Sequence, residues 1–210
     1  MELAASQLIK LYMQSQVLIG SIYYAPTPEA RLLDALNGLA DTGPVKHGRF
    51  LELTGVTIQH TNGREEKLPI AYINKATIHL SGTLGDANAG RGVGAQTGLK
   101  TYPFVEKSPV SVRLETQSYI VTGYMYRVSF QKIWQVLEDT SIFLPITHAQ
   151  VYTVATGSSE KLSFVAVNKE HILALQEENT NLTEMHKLSE STNRKVSKKI
   201  FQTGYADISR

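Results

Sequence analysis

Apolar residues along this chain alternate in short runs, and one such run is written twice. From Phe50 to Ile78 the chain reads Phe-Leu-Glu-Leu-Thr-Gly-Val-Thr-Ile, a turn, then Leu-Pro-Ile-Ala-Tyr-Ile-Asn-Lys-Ala-Thr-Ile. From Phe143 to Ile172 it reads Phe-Leu-Pro-Ile-Thr-His-Ala-Gln-Val, a turn, then Leu-Ser-Phe-Val-Ala-Val-Asn-Lys-Glu-His-Ile. A period of two puts every second side chain on one face of a strand. In both runs the phase slips once: Leu51 and Leu53 share one parity and Val56 and Ile58 the other, as do Leu144 and Ile146 against Ala149 and Val151. One inserted residue explains the slip, so a bulge is predicted at Thr54-Gly55 and at Thr147-His148, with the two threonines satisfying backbone groups there. Asn62-Gly63 and Gly157-Ser158-Ser159 supply the residues that turn a hairpin.

The repetition extends upstream. Leu8–Met13 and Gln16–Tyr23 read as strands joined at Gln14-Ser15, and Gln14-Ser15 with Val17–Gly20 returns as Gln117-Ser118 with Ile120–Gly123. Thr27-Pro28-Glu29 is a helix start, Leu32, Leu33 and Leu36 form its apolar stripe, and Asn37-Gly38 a left-handed stop. Ile133, Trp134 and Leu137 repeat the stripe, with Ser129 as the expected cap. The expectation is an α+β class: two tandem copies of a small ββαββ unit, mainly antiparallel sheet or small barrel, with one helix per copy and a short fifth strand around Ile78 and Ile172. Residues 1–80 and 109–176 would hold the copies, 81–108 a glycine-rich connector and 177–210 a polar tail. A copy of about 65 residues lies near the lower limit for an independent core, so the copies are expected to pack on each other or on another chain.

Composition narrows the function classes more than it selects among them. Lys plus Arg number 21 against 19 for Asp plus Glu, so no strong field for nucleic acid or membrane is implied. Zero cysteines exclude a disulfide framework and cysteine-ligated metal sites. Met-Glu-Leu-Ala-Ala-Ser-Gln lacks a basic leader region and no apolar run is long enough to span a bilayer, so a cytoplasmic location is expected.

Candidate chemistry is sparse. Gly90-Arg91-Gly92-Val93-Gly94 has neither the Gly-Lys-Ser/Thr ending of a phosphate loop nor dinucleotide-binding spacing, and reads as linker. The histidines His47, His60, His79, His148, His171 and His186 lack metal-ligand spacing. Those in the repeated segments face non-histidine counterparts, which predicts surface or capping roles. Asp34 and Glu52 face Gln135 and Pro145, and no nucleophile elbow occurs. The expectation is therefore no enzyme, no cofactor and no metal. The one polar pair kept in both copies is Asn74-Lys75 with Asn168-Lys169. Two such tips could contact an anion such as a phosphate backbone, together with Arg194, Lys195, Lys198 and Lys199 in the tail. Alternatively, each asparagine adopts the left-handed conformation in a turn.

Phe-Leu-Pro-Ile-Thr-His-Ala followed by Val-Asn-Lys-Glu-His-Ile resembles a family of short uncharacterised bacterial proteins with Phe-Leu-x-Leu-Thr-x-Ala and Val-Asn-Lys-x-x-Ile segments in a single unit. The first copy departs from it at Gly55-Val56 and Ile73-Asn74-Lys75. The resemblance supports the domain reading and implies no mechanism; the glycine-bearing strand pattern is also similar to small Sm-like barrels. The functional expectation is a non-catalytic binding or assembly protein acting through contacts with a protein partner or itself, with no membrane. The alternative is a nucleic-acid-binding module.

Overall fold

The computed structural model describes residues 5–24, 32–38, 48–85 and 106–178. The expected helix start at Thr27-Pro28-Glu29, the Gly90–Gly94 segment and the basic residues Arg194 to Lys199 lie outside them.

Strands form where the alternation is written. β1 (Ala5–Tyr12) buries Ile9 and Leu11, and β2 (Gln16–Tyr24) buries Leu18 and Ile22. β3 (Phe50–His60) and β4 (Glu65–Asn74) form a hairpin whose turn uses Gly63 at φ 82°. A 3-10 turn over Lys75–Thr77 leads into the short β5 (Leu80–Thr83), which is buried along its whole length. The second half repeats these elements. β6 (Lys107–Glu115) and β7 (Tyr119–Val128) pair, as do β8 (Phe143–Thr153) and β9 (Ser159–Asn168), and a 3-10 turn over Lys169–His171 precedes β10 (Ala174–Glu177).

The predicted bulges are present. Ile19 pairs with Thr57 but Ser21 with Thr54, and Thr122 pairs with Gln150 but Tyr124 with Thr147, so β3 and β8 each carry one extra residue. Gly55 and His148 absorb it at φ 59° and φ 50°. Thr54 and Thr147 reach back to the carbonyls of Ser21 and Tyr124 through long hydrogen bonds of 3.5 and 3.4 Å. The bulged backbone presses on its neighbour strand where that strand has glycine. A Cβ on Gly123 would lie 2.7 Å from Ile146 Cγ2 and 2.8 Å from the Thr147 carbonyl; on Gly20 the nearest atoms, the Thr54 carbonyl and Val56 Cγ2, are at 3.2 Å.

The expectation of an α+β fold made of two tandem ββαββ units, one helix in each, is corrected. The ten strands among the described residues belong to one open antiparallel sheet in the order β10-β6-β7-β8-β9-β5-β1-β2-β3-β4, and the fold is mainly β. The helices are single short segments, α1 (Leu32–Asn37) and α2 (Ile133–Leu137), too small to form a layer. The physical reason is that period-two segments outnumber helical ones, and that β5 pairs with β9 and so joins the strands of both halves in one sheet. The apolar clusters are shared as well. Phe143 and Ala166 pack in the cluster built on β1, β2 and β3, while Tyr12 and Leu80 pack in the one built on β6 to β9.

The helix readings divide. α1 buries Leu32, Ala35 and Leu36 and ends at Gly38 with φ 72°, as its stripe and stop predict. α2 buries Val136, whereas Trp134 is exposed. Its cap is Lys132 and not Ser129, because the chain first makes a turn, with Gln131 N–H donating to the Val128 carbonyl and Phe130 at φ 68°.

Replacing Gly123 by alanine is expected to lower unfolding free energy by about 1–3 kcal/mol, because a backbone oxygen and the fixed end of a core isoleucine must both move. Gly20→Ala, with looser contacts and a less flexible unfolded chain in its favour, should cost clearly less. Urea titration of the two variants beside the parent checks the order.

Candidate functional site

Asn74 and Asn168 stand at the ends of β4 and β9 and cap the 3-10 turns that follow. Asn74 Oδ1 accepts from Ala76 N–H at 3.1 Å and Asn168 Oδ1 from Glu170 N–H at 3.0 Å. Both residues are extended, at φ −67° and −71°, which corrects the left-handed expectation: the side chain, not an unusual backbone, starts the turn. The lysines that follow point back at the helices. Lys75 Nζ donates to the Ala35 carbonyl at 2.6 Å, and Lys169 Nζ to the carbonyls of Val136 at 3.4 Å and Asp139 at 3.0 Å and to Asp139 Oδ1 at 2.5 Å. Helix C-terminal carbonyls lack intrahelical donors and carry partial negative charge, so a cation there docks α1 and α2 on the sheet. Burial pushes the Lys75 ammonium below its usual pKa. Burial pushes the Asp139 carboxyl up, but hydrogen bonds from Lys169 and Ser141 prevail and hold it below the usual carboxylate range.

The most heavily built region is the seam where the halves meet. β5 and β9 pair antiparallel, Leu80 opposite Val167, Ser81 opposite Ala166 and Gly82 opposite Val165. Asn168 is fully buried there; its Nδ2 donates to the Ile78 carbonyl at 3.0 Å and the Lys75 carbonyl at 3.4 Å, and its N–H to the His79 carbonyl at 2.9 Å. Lys10 on β1 reaches across to Glu160 on β9 at 2.6 Å. The Tyr119 hydroxyl donates to the Met13 carbonyl at 2.7 Å, and its ring meets Tyr12 edge-on with centroids 5.4 Å apart. Burial and the nearby Glu160 carboxylate push Tyr119 up to about 12 and Tyr12 higher still. Asn37 Oδ1 accepts from the N–H groups of Ile142 at 3.0 Å and Phe143 at 2.8 Å, and the Phe143 ring enters the core of the first half.

His79 and His171 also meet at the seam, their rings stacked with centroids 4.1 Å apart. His171 Nε2 lies 2.8 Å from the Ala76 carbonyl, while His79 is buried, its Nδ1 has no hydrogen-bond partner among the described residues, and its ring meets that of Tyr119 edge-on with centroids 6.2 Å apart. A surface or capping role therefore does not describe His79. Burial, then the His171 ring, lowers its pKa. No group of three His, Asp or Glu among the described residues is placed to hold a metal ion. No helix among them is long and apolar enough to cross a membrane.

The ends of the sheet, β4 and β10, carry the counterparts of the seam strands β9 and β5. On β9, Ala166 is 0% exposed; at the same position of β4, Tyr72 is 67% exposed. Phe143 is 0% exposed, and Phe50, its counterpart at the start of β3, is 52% exposed. Ile70 and, beside β10, Leu173 are exposed too. Sequence reasoning found the repeated residues but not these roles, because it could not know that one copy of each pairing would be made within the chain and that the other would have no strand beside it among the described residues. Among the sequence-predicted site residues, Asn74, Lys75, Asn168 and Lys169 are thus placed at the two 3-10 turns, and Arg194, Lys195, Lys198 and Lys199 are not described.

Lys75→Met should cost about 1–3 kcal/mol in a denaturation experiment, because the Ala35 carbonyl loses its donor where water does not replace it. For His79 the fold favours the neutral ring, so its contribution is complete above the unfolded-state pKa of about 6.5 and is lost as pH falls toward the lowered folded value. His79→Leu, which installs the residue found at position 173, is expected to flatten the fall in stability between about pH 6.5 and 5 relative to the parent, read as melting temperature against pH.

No protein-family model, no curated protein and no solved structure matches this chain.

Proposed function

We propose that this is a non-catalytic assembly protein that works through protein contacts made at the edge of its sheet. One observation carries the reading: β4 keeps Ile70 and Tyr72 exposed at an edge whose counterpart strand, β9, is covered by another strand. An open strand edge presents backbone donors and acceptors ready for another chain, and proteins that do not use such an edge commonly place charge or proline on it. β4 does carry Pro69 and charged residues at its start, but its second half is apolar and ends in the capping asparagine. A nucleic-acid reading has less support, since the ammonium groups of Lys75 and Lys169 are engaged by the carbonyls of Ala35 in α1, and of Val136 in α2 and Asp139 just after it.

Light scattering on the eluting peak should give a mass above the 23.2 kDa of one chain, falling toward it for Tyr72→Glu. Tyr72 is mostly exposed, so the variant should keep its circular dichroism spectrum while a carboxylate occupies the apolar contact. Equal masses for parent and variant would remove the reading.

A further inference from the structure

The seam inside the chain is a template for a seam between chains. We infer that the occupant of the β4 edge is β10 of a second copy of this chain, paired antiparallel in the register that β5 and β9 use, so that subunits join head to tail. This rests on the edge-contact reading above and adds the partner, the polarity and the register. Shifting the internal pairing by the spacing between Asn74 and Asn168 puts Ala174 opposite Ile73 of the next chain, Leu175 opposite Tyr72 and Gln176 opposite Ala71.

Several features of the internal seam have chemically similar counterparts at the ends. Asn168 Nδ2 donates to two carbonyls of the first 3-10 turn and its flank; Asn74 carries the same amide, and the matching carbonyls are those of Lys169 and Ile172. Lys10 pairs with Glu160; the corresponding residues are Arg113 on β6 and Glu66 on β4, again one cation and one carboxylate. Among the described residues the Glu66 carboxylate has Arg64 at 3.9 Å and His60 at 4.0 Å, while Arg113 donates to Glu115 at 2.9 and 3.0 Å and would have to share or exchange that partner. Asn37 accepts from the backbone at the start of β8; its counterpart is Glu138, whose carboxylate is likewise an acceptor suited to the N–H groups at the start of β3. Phe50 then enters the neighbour's second core as Phe143 enters the first, and Leu173 is covered.

Other parts of the internal seam are not matched: Gln16 stands for Tyr119, and Leu173 and Thr77 for the stacked His79 and His171. Gly82 in β5 lets Leu162 approach to 2.7 Å of where a Cβ would sit, whereas β10 has Gln176, so the end of Leu68 on the next chain must rotate aside. Because the joined surfaces differ, pairing one β10 with one β4 leaves a free β4 and a free β10 at the ends, and the array grows until it closes.

The chain contains no cysteine, which makes disulfide trapping clean. Residues directly opposite on antiparallel strands lie within the Cα spacing a disulfide tolerates. Ser81→Cys with Ala166→Cys in one chain calibrates the geometry by closing the internal seam. A mixture of Tyr72→Cys chains and Leu175→Cys chains, oxidised under the same conditions, should give a two-chain adduct that neither gives alone. In light scattering, Glu66→Arg should weaken assembly roughly two- to fivefold and adding Arg113→Glu should restore it, the size expected of a partly exposed ion pair. No adduct in the mixture while the internal control closes overturns the inference, and so does linking of Tyr72→Cys chains to themselves, which would mean β4 against β4. If Tyr72→Glu still lowers the mass in either case, the edge-contact reading survives and only the partner strand is wrong; if it does not, both fall.

Discussion

Pairing of β5 with β9 is the constraint around which the rest of the molecule is arranged. β5 is only four residues long, yet it lies between β1 on one side and β9 on the other, and every one of its residues is buried. Its backbone groups can be satisfied only if both neighbours are in register, since a buried amide or carbonyl without a partner costs more than an ordinary hydrogen bond contributes. Ser81 and Thr83 already bury hydroxyls that have no hydrogen-bond partner among the described residues, a cost the surrounding contacts must outweigh. The ion pair of Lys10 with Glu160, the Asn168 amide and the Phe143 ring all act at this line, so polar and apolar forces fix the same register.

The bulges make that line geometrically possible. An extra residue in β3 and in β8 bends each strand and returns the opposite face to the core, which is why Leu53 and Val56, and Ile146 and Ala149, can be buried together although their parities differ. Gly20 and Gly123 follow as a consequence, because a bent strand approaches its neighbour too closely for a side chain. The 3-10 turns complete the path by delivering β5 and β10 to β1 and β6, and their first residues, Lys75 and Lys169, tie the helices down through the carbonyls those helices leave open.

Local chemistry was legible in the sequence and long-range pairing was not. Phase slips located both bulges, and Asn62-Gly63 and Gly38 marked a turn and a helix stop, because each depends on residues adjacent in the chain. Ser129 failed as a cap and Trp134 as a core residue since a turn at Val128 to Gln131 delays the helix. The α+β class was overestimated for a related reason: helical spacing appears in two segments, but nothing local says that five- and six-residue helices will be minor against ten strands. The seam was not legible: a short fifth strand is expected around Ile78, but Ser81 to Thr83 border a glycine-rich stretch and read as connector until β9 is seen beside them. His79 was misread with them, as its burial comes from that same pairing.

Differences between matched positions are as informative as identities. At one pair the edges hold much larger apolar residues, Leu175 and Tyr72 in place of Ser81 and Ala166; the flanking pairs do not follow, with Gln176 and Ala71 for Gly82 and Val165 and with Ala174 and Ile73 for Leu80 and Val167. An internal seam is held at high effective concentration by the chain itself, so it tolerates small side chains and buried hydroxyls. A contact between separate chains must also overcome the loss of translational and rotational freedom, which larger apolar side chains help to offset. Tyr72 opposite Leu175 in place of Ala166 opposite Ser81 supplies that added area at the point where an intermolecular seam would need it. A solitary sheet gains nothing from an exposed tyrosine on its outermost strand, and is exposed to uncontrolled pairing by it. In the proposed head-to-tail pairing the tyrosine, the asparagine cap and a carboxylate that matches a cation at the opposite end would all serve the same contact.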